Sequence, residues 1–132
     1  MRPRSLAAAL LAALLMAGCW PISDRSTRTA HVTGHRLALT LEEYRILPQT
    51  ASVPAGALTI TACNRGILTH NVALQRGTLD SDERTTLTDI PTLLPGHCGS
   101  VLTQPLAAGR YLLASTVGNQ AVLGMAATLI VR

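Results

Sequence analysis

The stretch that decides the fold is Leu58-Thr59-Ile60-Thr61-Ala62-Cys63-Asn64-Arg65-Gly66. Apolar side chains at positions 58, 60 and 62 alternate with polar or small ones at 59, 61 and 63, which is the period of a half-buried β-strand. The next three residues, 64–66, are of the kind that ends a strand in a turn. The stretch therefore predicts one strand with a core-facing side and a loop at its carboxyl end.

The same alternation recurs before this stretch. Leucines at 37, 39 and 41 follow one phase, and Tyr44 with Ile46 follows the other. A change of phase within one strand usually marks a bulge or a bend, so a bent strand is predicted here, ending at Pro48. Pro54-Ala55-Gly56 then predicts a turn.

Further strands are predicted after it, at 72–76, 101–106, 110–117 and 125–131. Pro105 lacks an amide donor, so the strand at 101–106 is expected at a sheet edge. Residues 78–89 are polar without a clear period and predict either a loop or a short helix. Seven or eight short strands separated by turns, with no amphipathic helix, are typical of an all-β sandwich or barrel.

Composition narrows the class of protein. The chain has 132 residues, enough for one domain, and its 48% hydrophobic and 14% charged residues exclude a disordered solvating protein. All 11 basic residues are arginines, against 7 acidic residues. The sequence carries no basic cluster and no aromatic stacking platform, so no nucleic-acid partner is expected.

The first residues have the pattern of an export signal. Arg2 and Arg4 precede a continuous apolar run at 6–16, too short for a membrane span, which needs about 20 residues. Met16-Ala17-Gly18-Cys19 resembles a bacterial lipobox, in which the cysteine is lipidated and becomes the mature N-terminus. We therefore expect a lipoprotein signal peptide at 1–18, an ordinary cleaved signal with a coincidental cysteine being the alternative.

The lipobox sets the expected domain organisation and location. Residues 19–34 are predicted to be the lipidated Cys19 and a flexible polar tether, and residues 35–132 the folded domain. Several acyl chains on one cysteine give durable anchoring. The protein is expected to be exported and lipid-anchored to the bacterial membrane, facing the periplasm or the cell exterior.

Several local patterns together resemble the cupredoxin family, the blue-copper proteins of the plastocyanin and azurin type. Asn64-Arg65-Gly66 with His70-Asn71 resembles an N-x-G…H-N stretch in which the histidine binds copper. The end, 115–125, aligns without gaps to the family's C-x4-H-x4-M loop. Weaker local matches lie at 41–48, 53–56, 94–96 and 109–111. The resemblance covers nearly all of residues 37–131 and implies a Greek-key β-sandwich of about seven to eight strands.

The resemblance also implies where copper ligands would stand. Ser115 occupies the family's cysteine position and Gln120 its second histidine position, so that only His70 and Met125 keep the expected ligand types. A blue-copper centre needs two histidines and a thiolate with a weak axial methionine. A degenerate copper site is therefore expected, with no required cofactor and no intense blue band.

Alternatives for the remaining ligand types stay open. In the family's topology the sixth strand starts at the copper end, which places His97 there and suggests a weak Cu(I) site of His70, His97 and Met125. The simpler interpretation is that His70 holds loops together by hydrogen bonds and that Met125 belongs to the core.

The cysteines indicate a disulfide. Cys19 apart, Cys63 and Cys98 remain, and export places them in an oxidising compartment. The resemblance puts Cys63 beside Cys98 on antiparallel neighbouring strands, which implies that they are bonded. A free Cys98 thiolate that replaces the lost copper cysteine is the competing interpretation.

These inferences lead to a non-enzymatic function. The sequence contains no catalytic triad, paired carboxylates, phosphate loop or zinc spacing. We expect a membrane-anchored envelope protein that acts as a binding or accessory module, with the membrane and an unidentified envelope protein as partners. Copper handling through His70, Met125 and His97 is the first alternative, and electron transfer the second.

Overall fold

The structure, a computed structural model, describes residues 28–132. The predicted signal peptide and Cys19 lie outside the described residues. Within them no helix has the length and apolar character to cross a bilayer. The described strands are β1 (Thr29–His31), β2 (Arg36–Glu42), β3 (Arg45–Leu47), β4 (Thr50–Val53), β5 (Thr59–Asn64), β6 (His70–Arg76), β7 (Thr85–Leu93), β8 (Cys98–Leu102), β9 (Gly109–Ala114) and β10 (Ala126–Val131).

The strands form two sheets. One has the order β1-β4-β10-β9-β6-β7 and the other β3-β2-β5-β8. The apolar positions of the deciding stretch, Leu58, Ile60 and Ala62, are all at most 1% exposed. They join one large core cluster with residues from both sheets, among them Leu41, Leu113 and Leu129. The predicted all-β sandwich is confirmed.

The first hairpin replaces the predicted bent strand. β2 pairs antiparallel with β3, and Leu41 stands opposite Ile46. Both side chains are fully buried. The apparent change of phase thus comes from a chain reversal at 43–44, because reversing direction lets both phases face the core.

The short strand β4 is missing from the predicted set. Three of its residues, Ala51, Ser52 and Val53, are buried in succession. The strand lies between β1 and β10 and is parallel to both. A four-residue strand without alternation carries no period-two signal.

The fold begins before residue 35, the predicted start of the domain. β1, at 29–31, lies within the predicted tether and adds to the edge of β4. The Thr50 amide donates to the Arg28 carbonyl and the Val32 amide to the Ser52 carbonyl, each over 2.8 Å. This strand is polar because it is an edge strand with little core contact, and such strands resemble tethers in sequence.

The polar segment 78–89 is neither wholly a loop nor a helix. Its last five residues open β7, an edge strand of nine residues in which only Ile90 and Leu93 are buried. Solvent on most of the strand removes the alternation, so the sequence pattern could not show it.

The strand predicted at 101–106 is shifted. β8 runs from Cys98 to Leu102 and ends before Pro105, although it does lie at a sheet edge. β8 runs antiparallel to β5 and places Cys98 opposite Cys63. The two form a disulfide with Cα atoms 4.0 Å apart. Cys98 is therefore not a free thiolate in this structure.

Candidate functional site

Four loops meet at one end of the sandwich. They are the β2–β3 turn at 43–44, the β5–β6 loop at 65–69, the β7–β8 loop at 94–97 and the β9–β10 loop at 115–125. The strand pairs that place them together are Glu42 with Arg45, His70 with Leu93, Cys63 with Cys98, and Ala114 with Ala126. We call this the loop end.

Asn64 ties two of these loops together. Its side-chain amide donates to the carbonyls of Leu68, at 2.8 Å, and Leu93, at 2.9 Å. Its side-chain oxygen accepts from the Gly66 amide at 2.9 Å. A fully buried asparagine with these bonds holds the loops in one arrangement.

His70, the first residue of β6, is fully buried and bonded through both ring nitrogens. Its Nε2 lies 2.8 Å from Oε1 of Glu43 and its Nδ1 lies 3.0 Å from Oε1 of Gln120. The Gln120 Nε2 donates to the Thr69 carbonyl, so its oxygen must face the ring. Both ring nitrogens therefore face oxygen atoms at hydrogen-bond distance, and neither is open to another partner.

Glu43 is the functional residue that sequence reasoning missed. Its Oε1 also accepts from the backbone amides of Leu68 and Ile67, at 2.7 and 2.8 Å. The Leu68 amide above all, and then His70, hold the pKa of the Glu43 carboxyl below its ordinary value. A side chain at position 66 would overlap this carboxylate, which explains Gly66. The partner in space lies 27 residues away, and no local pattern shows that pairing.

The two substituted positions bond to each other. The Ser115 Oγ lies 2.8 Å from Oε1 of Gln120 and 3.0 Å from Oδ1 of Asn71. Asn71 in turn accepts from the Thr116 amide and donates to the Thr116 hydroxyl, at 2.8 and 2.7 Å. We call Glu43, His70, Asn71, Ser115, Thr116 and Gln120 the polar network.

Met125 lies next to this network through its backbone. Its amide donates to the Gln120 carbonyl, and its carbonyl accepts from the Ser115 amide, both at 3.0 Å. The side chain is fully buried and belongs to the large core cluster. The structure therefore gives Met125 a packing role.

His97 is at the loop end but on its surface. The ring is exposed, and its Nδ1 lies 3.2 Å from the Pro95 carbonyl. Its own carbonyl accepts from the Asn64 amide. Within residues 28–132, no three or more side chains of His, Cys, Asp or Glu are grouped so that they could hold a metal ion.

The donor set can be compared with what blue copper requires. Ser115 supplies a hydroxyl and Gln120 an amide, where the centre needs a thiolate and an imidazole. Both ring nitrogens of His70 are already engaged by oxygen atoms of the protein. The residues at the predicted ligand positions do not fit a blue-copper centre.

The surface of the loop end carries several exposed apolar side chains. Five aliphatic side chains on its loops are exposed: Ile67 (84%), Val122 (80%), Leu94 (59%), Leu123 (51%) and Leu68 (43%). Adjacent exposed aliphatic side chains are uncommon on a solvated surface and mark interaction sites. We call these five residues the apolar rim.

Comparison with solved structures shows which known fold the two sheets form. Auracyanin from Roseiflexus castenholzii has a TM-score of 0.68 at 18% identity, over 76% of this chain and 99% of that one. Auracyanin A, described as a "blue" copper protein from Chloroflexus aurantiacus, has a TM-score of 0.63 at 20% sequence identity, over 77% of this chain and 99% of that one. A purple cupredoxin from Nitrosopumilus maritimus has 0.55 at 15% identity, over 73% and 99%. No family model and no curated protein sequence matches the chain. The chain has the cupredoxin fold.

Proposed function

We propose that this protein with the cupredoxin fold is a membrane-anchored binding module of the bacterial envelope and has no blue-copper centre. The observation that carries the proposal is the polar network at the copper-ligand positions. The polar atoms of the site bond to other protein groups: the His70 ring lies against the side chains of Glu43 and Gln120, and Ser115 bonds to Gln120. A buried polar network of this kind is stable when its members have partners.

The network opposes copper binding in two ways. A metal ion needs the lone pair of an imidazole nitrogen, so His70 would have to give up its bond to Glu43 or to Gln120. Neither Ser115 nor Gln120 is a soft ligand that would compensate for this loss. In this proposal the site holds no redox metal, so the function is binding and not electron transfer.

The binding surface in this proposal is the apolar rim. Its residues stand on three loops, which Asn64 and the polar network hold to the strands. In this proposal the polar network, and not a bound metal ion, holds the loops of the interaction surface in one arrangement. A preorganised surface binds better because less conformational entropy is lost on binding.

Copper binding is the direct test. The mature chain is offered Cu(I) under reducing, anaerobic conditions and Cu(II) in air, and bound metal is measured by elemental analysis and competitive titration. We expect no stoichiometric tight binding and no intense visible band. A matched variant with Ser115→Cys and Gln120→His restores the ligand types and should gain copper affinity.

The opposite result would favour the copper-handling alternative. Stoichiometric Cu(I) binding by the unmodified chain, lost in both His70→Ala and Met125→Ala, would mean that the network opens for a metal. Loss in His97→Ala as well would bring that surface histidine into the site. An intense blue band from the unmodified chain would contradict the proposal outright.

A further inference from the structure

We propose that the apolar rim contacts the lipid bilayer itself, so that the loop end of the sandwich faces the membrane. This inference rests on the proposed anchoring through Cys19. It names the bilayer as the partner of the binding surface. Three independent features of the described residues support it: the direction in which the chain enters the fold, the charge of the loop end, and the shape of the rim.

The chain enters the fold from the loop end. β1 runs parallel to β4 and β10, with Thr29 opposite Thr50 and Thr50 opposite Thr128. β10 begins at the loop end with Ala126, and strands rise about 3.3 Å per residue. Thr29 therefore lies only about 7 Å along the strand axis from the loop end, by the same rise per residue.

The covalent distance to the anchor is short. Cys19 precedes Arg28 by nine residues, which at about 3.3–3.6 Å per residue reach no further than about 30 Å. Because these nine residues enter the fold near the loop end, the shortest connection to the lipid is obtained when the loop end faces the bilayer. Presenting the opposite end would require the same few residues to pass along the length of the sandwich first.

The loop segments that carry the apolar rim are uncharged. The two carboxylates of the β2–β3 region are paired, Glu42 with Arg45 and Glu43 with His70. The segments 66–69, 94–96 and 117–124 contain no charged residue, and Arg65 beside them is exposed. The exposed acids Asp80, Asp82 and Glu83 stand on the β6–β7 connection, whose Leu79 and Arg84 line one cavity with Val122 of the β9–β10 loop. The uncharged loop segments themselves can enter the headgroup region without the cost of desolvating a charge.

The rim has the form of a shallow insertion surface. Ile67 and Val122 are the most exposed of the large apolar side chains among the described residues, and both stand within loops of the loop end. Aliphatic groups that protrude from such loops can enter the headgroup and upper acyl region, as apolar faces of peripheral proteins do. A surface that binds a protein partner would also need polar groups around its apolar centre to fix the orientation of the partner. The uncharged segments that carry the apolar rim contain few such groups.

The test uses the lipidated full-length protein in vesicles of phosphatidylethanolamine and phosphatidylglycerol. A polarity-sensitive fluorophore is attached in a Val122→Cys variant and, as the matched control, in a Leu102→Cys variant. Leu102 is also an exposed apolar residue (67%), at the far end of β8. The native thiols do not interfere, because Cys63 and Cys98 are bonded and Cys19 carries lipid.

We expect the probe at 122 to shift to shorter wavelength, to be quenched by lipid-borne quenchers and to be protected from aqueous iodide. The probe at 102 should remain accessible to iodide. Equal aqueous access of both probes in vesicle-bound protein would overturn the inference. Protection at 122 that appears only after addition of envelope proteins would also overturn it, in favour of a protein partner.

The anchoring is measured separately by the mass of the Cys19 peptide and by flotation with the vesicles. Protein that is acylated and floats while its probe at 122 stays in water refutes the membrane-facing rim and leaves the anchor intact. Protein that is not acylated and does not float refutes the anchor, and with it the present inference.

Discussion

His70 shows how the meaning of a residue depends on its partners. The histidine predicted as a copper ligand here lies at hydrogen-bond distance from two oxygens, on Glu43 and Gln120. Gln120 stands where the sequence predicts a second ligand position, and its side-chain oxygen faces the His70 ring. Each ring nitrogen of this buried histidine therefore has a hydrogen-bond partner, as a buried polar group requires.

Removing that acceptor should destabilise the fold. In Gln120→Leu the Nδ1 of His70 and the Thr69 carbonyl lose their partner, and leaving a buried polar group without one costs about 1–3 kcal/mol. Urea denaturation measures the free energy of unfolding. The matched control is Gln104→Leu, at an exposed position, which should change it by no more than about 0.5 kcal/mol. Equal effects in the two variants would argue against the network.

The Glu43 carboxylate should make stability depend on pH. Its pKa is lower in the folded than in the unfolded chain, mainly through the Leu68 amide, so the folded state prefers the ionised form. The stabilisation is complete above the unfolded-state pKa and is lost as pH falls through the folded-state pKa.

Glu43→Gln provides the measurement for this prediction. Thermal unfolding of wild type and variant across a pH series should show wild type more stable at neutral pH. The difference should shrink on acidification through the carboxyl range. A difference that stays constant with pH would show that the ionised carboxylate is not the cause. Glu42→Gln, which removes the neighbouring surface carboxylate, is the control.

The strands of this protein differ in how clearly their sequences predict them. β5 alternates strictly because one face meets the core and the other is partly solvated. β1 and β7 are edge strands with few buried residues, and their sequences resemble a tether and a loop. The hairpin of β2 and β3 resembles one bent strand because the reversal at 43–44 takes only two residues.

The disulfide between β5 and β8 should contribute strongly to stability. It closes a loop with a sequence separation of 35, and the loop-entropy model gives about 3–4 kcal/mol for this length. The double variant Cys63→Ala, Cys98→Ala should lose about that amount of unfolding free energy in the same model. A reductant should lower the stability of wild type and leave the double variant unchanged. Wild type unaffected by full reduction would contradict the prediction.

The loop end differs chemically between its inside and its outside. It combines the polar network inside with five exposed aliphatic side chains outside. The acidic β6–β7 connection lies against the β9–β10 loop, because its Leu79 and Arg84 line one cavity with Val122. In the proposed function, an anchor near the first described strand orients the loop end toward the membrane.

The anchor itself is open to a simple test in cells. Cys19→Ser removes the acceptor of the lipid and should move the protein from the membrane fraction to the soluble fraction of the envelope. Fractionation followed by immunoblotting measures the distribution. Ser23→Ala, a change close by in the predicted tether, should leave it unchanged. Membrane retention of the Cys19→Ser variant would mean that another contact holds the protein.

Alternating apolar residues were enough to predict an all-β sandwich or barrel, because period two follows directly from the geometry of a strand. The resemblance to the cupredoxins then predicted that His70, Ser115, Gln120 and Met125 lie at one site. What they do there depended on the tertiary structure, since Glu43 lies 27 and Gln120 lies 50 residues from His70. Hydrogen bonds over such separations leave no periodic trace in a sequence, and they turn a set of copper-ligand positions into a bonded polar network.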